Sequence, residues 1–121
     1  MTFDSLDREW HYIPERDWHI TDREFVCNGP GYHCEVHYVR LADDREMAFV
    51  HLDVDNMAPS TLRAMKRGFE EHRPGLPRLL FALFDEDSPS RHHLATFFGF
   101  QRLDDMVEDG KTRRLYVSVH K

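Results

Sequence analysis

The segment Leu79–Phe84, LLFALF, is apolar at every position, and it constrains the fold more than any other part of the chain. A strand that alternates apolar and polar residues can leave one face to water. A strand-length run without alternation must be covered on both faces. The expected strand, Arg78–Phe84, therefore belongs inside a sheet and not in an open hairpin. Its flanks have a different period. Pro59–Arg73 places Leu62, Met65 and Phe69 at three- and four-residue spacing, with Pro59 suited to the first helical position. Pro74-Gly75 stops that helix. Arg67 and Glu71 are spaced to pair along it. A second helix opens at Ser88-Pro89, with Ser88 as its cap and Leu94, Phe97 and Phe98 as its inner face. Gly99 ends it.

Four further segments read as strands. Tyr32–Leu41 and Glu46–Val54 are rich in β-branched and aromatic residues and are separated by Ala42-Asp43-Asp44-Arg45, which predicts a hairpin. The expected register sets Leu41 against Glu46, Val39 against Ala48 and Tyr38 against Phe49. Phe100–Met106 and Thr112–His120 are joined through Glu108-Asp109-Gly110-Lys111, a turn of Asp-Gly type. From Tyr32 onward the order is β-β-α-β-α-β-β. That order predicts an α/β or α+β sandwich with a mixed, mostly antiparallel sheet flanked by helices. No linker or low-complexity tract interrupts residues 1–121, which read as one domain. Asn28-Gly29-Pro30-Gly31 is a turn. Residues 1–27 are less legible: Trp10, Tyr12, Ile13, Trp18 and Ile20 are candidates for burial, and Pro14 divides them into two short helices or strands.

Composition narrows the function. Twenty-two acidic side chains against 16 basic ones give a formal charge of −6, and 40% of the residues are hydrophobic. The chain can bury a core without staples, and its charge opposes general phosphate binding, so no direct nucleic-acid contact is expected. No stretch approaches the length of a membrane span, and the N-terminus has no signal-peptide pattern, so neither membrane insertion nor secretion is expected. Cys27 and Cys34 flank the Asn-Gly-Pro-Gly turn and read as two reduced, partly buried thiols. With His33 and His37 they match no common zinc spacing, and no metal is expected.

The element order, and the segment Leu94-Ala95-Thr96-Phe97-Phe98-Gly99-Phe100-Gln101 in particular, resembles the Gcn5-related N-acetyltransferase (GNAT) family. Many members close their last helix with Tyr-x-x-x-Gly-Phe before a final pair of strands. The resemblance implies that Met47–Val54 and the helix from Pro59 form an acetyl-CoA-binding unit. Its loop would then involve Val54, Asn56, Ser60 and Thr61. Within the family the chain looks most like small, divergent proteins of tailed bacteriophages, some of them internal virion or head-assembly components.

Two departures bear on chemistry. The family's pyrophosphate loop is rich in glycine, whereas Asp53-Val54-Asp55-Asn56-Met57-Ala58-Pro59-Ser60 contains none. Two carboxylates stand where a dianion would sit, and Pro59 lacks an N–H donor. The family tyrosine that protonates the leaving thiolate corresponds to Ala95, which cannot act as an acid. The resemblance thus implies a catalytically degenerate relative that needs no cofactor and works as a binding or assembly component in a virion or the host cytoplasm. Its partner would be a virion or host protein, and it could oligomerise.

Two alternatives stand beside that reading: an active N-acyltransferase using acetyl-CoA, and a phage-encoded inhibitor of a host protein. If the chain is active, His51 and Asp53, on one face of their strand, are the candidate base and its orienter. The plainer account makes His51 a cross-strand neighbour of Val36, with Asp53 in solvent. His33, Glu35 and His37 share a face at period two, as on the polar side of an edge strand. Arg63, Lys66, Arg67 and Arg73 give the first helix a basic, solvated side. Asp85-Glu86-Asp87 suits the dipole of the helix that follows.

Overall fold

The computed structural model describes residues 19–41, 44–55, 57–84, 89–108 and 110–120. The expectations for Trp10, Tyr12, Ile13, Trp18, Asn56, Asp85-Glu86-Asp87 and Ser88 lie outside the described residues.

Six strands form one sheet: β1 (His19–Gly29), β2 (Tyr32–Arg40), β3 (Glu46–Val54), β4 (Leu79–Phe84), β5 (Gln101–Glu108) and β6 (Lys111–Val119). Their order across the sheet is β1-β2-β3-β4-β6-β5, and only β3 and β4 run parallel. Helix α1 (Pro59–His72) supplies the crossover between that parallel pair, and α2 (Pro89–Phe97) links β4 to β5. This is the mixed, mostly antiparallel architecture that the element order predicts.

Both helices pack on one face of the sheet. Met65 and Phe69 of α1 and Leu94, Ala95 and Phe98 around α2 join Cys34, Val36, Ala48, Leu80, Ala82 and Tyr116 in a single buried cluster. Phe69 meets the Phe98 ring edge-on at 5.5 Å. The opposite face has its own buried cluster of Val39, Leu41, Met47, Phe49, Phe81, Leu115 and Val117. Strand β4 contributes Leu80 and Ala82 to the first cluster and Phe81 to the second, so its unbroken apolar run serves both layers. Gly99, at φ 84, ends α2 as expected.

Several expectations are corrected. Tyr38 pairs with Ala48 and Val39 with Met47, one residue away from the expected hairpin register. The slip arises because Leu41 belongs to the loop: its N–H donates to the Arg45 carbonyl, its own carbonyl accepts from Asp44 N–H, and Asp44 takes φ 66. Strand β2 lies between β1 and β3, so the His33-Glu35-His37 row is not on an edge strand. The edge on that side is β1, a strand of 11 residues where the sequence suggested only short segments. A bulge between Phe25 and Cys27 lets Val26 and Cys27 both face the helices, which breaks the alternation that would have marked the strand. Phe97 is exposed and lies under the Lys66 ammonium at 4.5 Å; it is not on the inner face of α2. Lys66 also pairs with Glu70 along α1.

Arg73 is the largest departure. It is only 7% exposed, in a short 3₁₀ turn after α1, and is not part of a solvated basic face. Its guanidinium donates to the carbonyls of Pro77, Arg78 and Ser118 and to Ser118 Oγ. Burial pushes its pKa down.

Candidate functional site

The parallel pair of strands sets the site. Strands β3 and β4 are in register only at Phe49 and Phe81 and diverge beyond them. A cavity of about 490 Å³ opens in the fork, lined by residues 50–55 of β3 and the turn after it, by Ala82, Leu83 and Phe84 of β4, and by Arg113 of β6. A second cavity, of about 220 Å³, lies on the sheet face away from the helices and is lined by Ile20, His37, Val39, Phe49, Val50, His51, Leu83 and Arg113. Val50, His51, Leu83 and Arg113 line both. His51 and Arg113 are the two polar side chains where the cavities meet.

Strand alternation assembles a row of titratable groups on this face. His33, Glu35 and His37 project from β2 beside Asp53, His51 and Phe49 of β3, paired in that order. One Glu35 oxygen lies 2.6 Å from His37 Nε2 and the other lies 3.2 Å from His33 Nε2. The His37 ring stacks on His51 at 4.9 Å, with the two ring planes nearly parallel. His51 Nε2 is 3.6 Å from Asp53 Oδ2. The expected pair is therefore brought together, but within a larger array: His51 stands opposite Glu35 and not Val36, which pairs with Val50. The period-two pattern of β2 carries the signal for that array, and the expected register, one residue away from the observed one, hides its contact with His51.

Electrostatics in the array is dominated by Glu35. Hydrogen bonds from His37 and then His33 lower its pKa from 4.5 to about 2, against a smaller opposing effect of burial. A depressed carboxyl pKa stabilises the fold above the unfolded-state value, and that contribution is lost as pH falls toward the folded-state value. Urea unfolding between pH 4.5 and 2 is therefore expected to show a steep loss of stability in this chain and a shallower one in Glu35→Gln. Parallel pH profiles for the two proteins would rule out the assigned role of Glu35.

The residues of the implied cofactor loop are less favourably arranged for an anion. Val54 lines the fork. Ser60 is exposed and Thr61 half-buried, both in the first turn of α1, where helix geometry leaves N–H groups without intrahelical acceptors. Pro59 has no donor, and the Asp55 N–H is committed to the Gly31 carbonyl at 2.8 Å. Asp53 and Asp55 line the same cavity and are exposed. Ala95, where the resemblance implies an acid, is buried on the inner face of α2. Among the described residues, no group of three or more His, Cys, Asp or Glu side chains is placed to hold a metal ion. No described helix is long and apolar enough to cross a membrane.

No protein-family model matches the chain, and no curated protein matches it. Solved structures do. One is a protein of Bordetella pertussis assigned to the GnaT family of acetyltransferases; it superposes with a TM-score of 0.51 at 14% sequence identity. The match covers 71% of this chain and 66% of the neighbour, so this chain spans about two thirds of that protein's length. At this identity the likeness concerns the backbone alone. The forked parallel pair, the crossover helix and the final antiparallel strands make this a GNAT-like fold.

Proposed function

We propose that the chain is a GNAT-fold protein that has given up acetyl-CoA transfer and acts as a binding or assembly component. The observation that carries this reading is the chemistry of the fork. Asp53 and Asp55 line the cavity between β3 and β4, and the Asp55 amide is already used by Gly31. A pyrophosphate entering there would meet negative charge and a depleted set of donors. Ala95 removes the acid that the family resemblance would supply. The resemblance to phage proteins adds the expected partner, a phage particle in which the chain is a structural component.

Acetyl-CoA titration followed by thermal unfolding tests the reading. A working pocket raises stability by about 2.7 kcal/mol when free ligand reaches a hundred times its dissociation constant. No change in melting temperature is expected up to millimolar acetyl-CoA. A rise that grows with ligand concentration would overturn the proposal. Co-purification with particles at fixed copy number is the expected result for the assembly role, and absence from purified particles would remove it.

A second reading, an active N-acyltransferase, draws on the placement of His51 beside Asp53 and at the junction of the two cavities. An amine held in the smaller cavity could lose its proton to His51 before attacking an acyl group in the fork. It requires acetyl-CoA binding and loss of transfer in His51→Ala.

A further inference from the structure

The turn between β1 and β2 has a chemical consequence away from the fork and independent of the function proposed above. It pairs Gly29 with Tyr32 and, two residues further along each strand, sets Cys27 directly opposite Cys34. Directly opposed residues of antiparallel strands have Cα atoms about 4.5–5.5 Å apart. That interval falls within the roughly 4.4–6.8 Å at which disulfides form. Both side chains lie on the helix-covered face, Cys34 within the buried cluster and Cys27 packed against it, and the Cys27 thiol donates to the Met65 carbonyl of α1 at 3.7 Å. Helix α1 passes close above because Gly68 lacks a side chain there; a Cβ at that position would lie 2.8 Å from Cys27 Cβ. The two sulfurs differ in access. Cys34 is fully buried, whereas Cys27 is partly exposed on the edge strand.

We propose that Cys27 and Cys34 form a cross-strand dithiol that closes reversibly to an intramolecular disulfide on reaction with a low-molecular-weight disulfide. Cys27 is the attacking group. Interaction with the neighbouring Cys34 thiol lowers its pKa against the opposing effect of burial, with a smaller lowering from His33, while the same interaction together with burial raises that of Cys34. The Cys27 thiolate attacks one sulfur of the oxidant and expels the first small thiolate, leaving a mixed disulfide. The Cys34 sulfur then loses its proton, attacks Cys27 Sγ and expels the second small thiolate. Two protein thiols are oxidised, one small disulfide is reduced to two thiols, and the released protons go to those leaving groups or to water. The product links the edge strand to its neighbour beneath α1.

Oxidised glutathione is the first probe, with free thiols counted and intact mass measured under denaturing conditions. The expected result is loss of both thiols, a mass lower by the two hydrogens removed, and full recovery with dithiothreitol. The Cys34→Ala variant should stop at a stable mixed disulfide on Cys27. Because Cys34 is buried and its replacement costs stability, Cys27→Ser gives a second arm, in which the remaining thiol should stay unreacted in the folded protein. The second probe is phenylarsine oxide, which bridges two neighbouring thiols. It should bind the unaltered chain on the order of a hundredfold more tightly than Cys27→Ser, as expected for two linked ligands over one. A lasting mixed disulfide in the unaltered protein, disulfide-linked dimers, two unreacted thiols, or equal arsenical affinity for both proteins would each overturn the proposal.

Discussion

Arg73→Ala is expected to lower the unfolding free energy by about 3–5 kcal/mol, the scale associated with breaking a buried charged network. The guanidinium ties three carbonyls and a hydroxyl from two distant parts of the chain. Pro77 and Arg78 precede β4, and Ser118 lies near the end of β6. Hydrogen bonds from charged donors contribute roughly 1.5–3 kcal/mol each, and removing the donor leaves buried oxygens without a partner. The Arg78 carbonyl keeps one bond, from His120 N–H, so the damage should centre on Pro77 and Ser118. Arg73→Lys should recover little of the loss, because one ammonium cannot reach acceptors spread around a planar fork. Denaturant midpoints at unchanged slope measure the effect. If the alanine variant lost under about 1 kcal/mol, the arginine would have to be an ordinary surface charge.

The second large effect is expected at Phe69. Its ring is 2% exposed between the sheet and α2, edge-on to Phe98 and 6.0 Å from Phe100. Phe69→Ala should cost about 3–5 kcal/mol, from the lost transfer of the ring out of water and from the cavity left between layers that cannot fully collapse. Phe69→Leu should recover more than half of that, since it refills most of the volume. The exposed Phe97 provides the contrast: its replacement by alanine should cost less than about 1 kcal/mol, limited to the contact with Lys66. Equal losses at positions 69 and 97 would mean that the inner face of α2 is wrongly assigned.

How far the site was legible depended on the strand that carried it. His51 and Asp53 are two residues apart on one strand, so period-two alternation placed them side by side, and the structure does the same. The contact between His37 and His51 depends on the register of two strands, which the Leu41–Arg45 loop decides through a left-handed residue at Asp44. Sequence pattern alone does not distinguish that loop from one a residue shorter. The burial of Arg73 is hidden from the sequence for a related reason. Its position at the end of a helix, in a run rich in basic residues, gives no sign of the carbonyls that Pro77, Arg78 and Ser118 turn toward it. Strand β1 was obscured because its bulge sends two successive residues, Val26 and Cys27, to the same side.

By itself the sequence determined the element order, the two helices with their proline starts, and the need for layers on both sides of LLFALF. Each of these follows from local sterics or from apolar periodicity, which act within a few residues. It also showed two carboxylates and no glycine across residues 53–60. The tertiary structure decided what those residues face: the fork between β3 and β4, the array of Glu35, His37 and His51, and the opposition of Cys27 to Cys34. These depend on strand register and loop geometry, where a shift of one residue turns every side chain to the other face at little cost in local propensity.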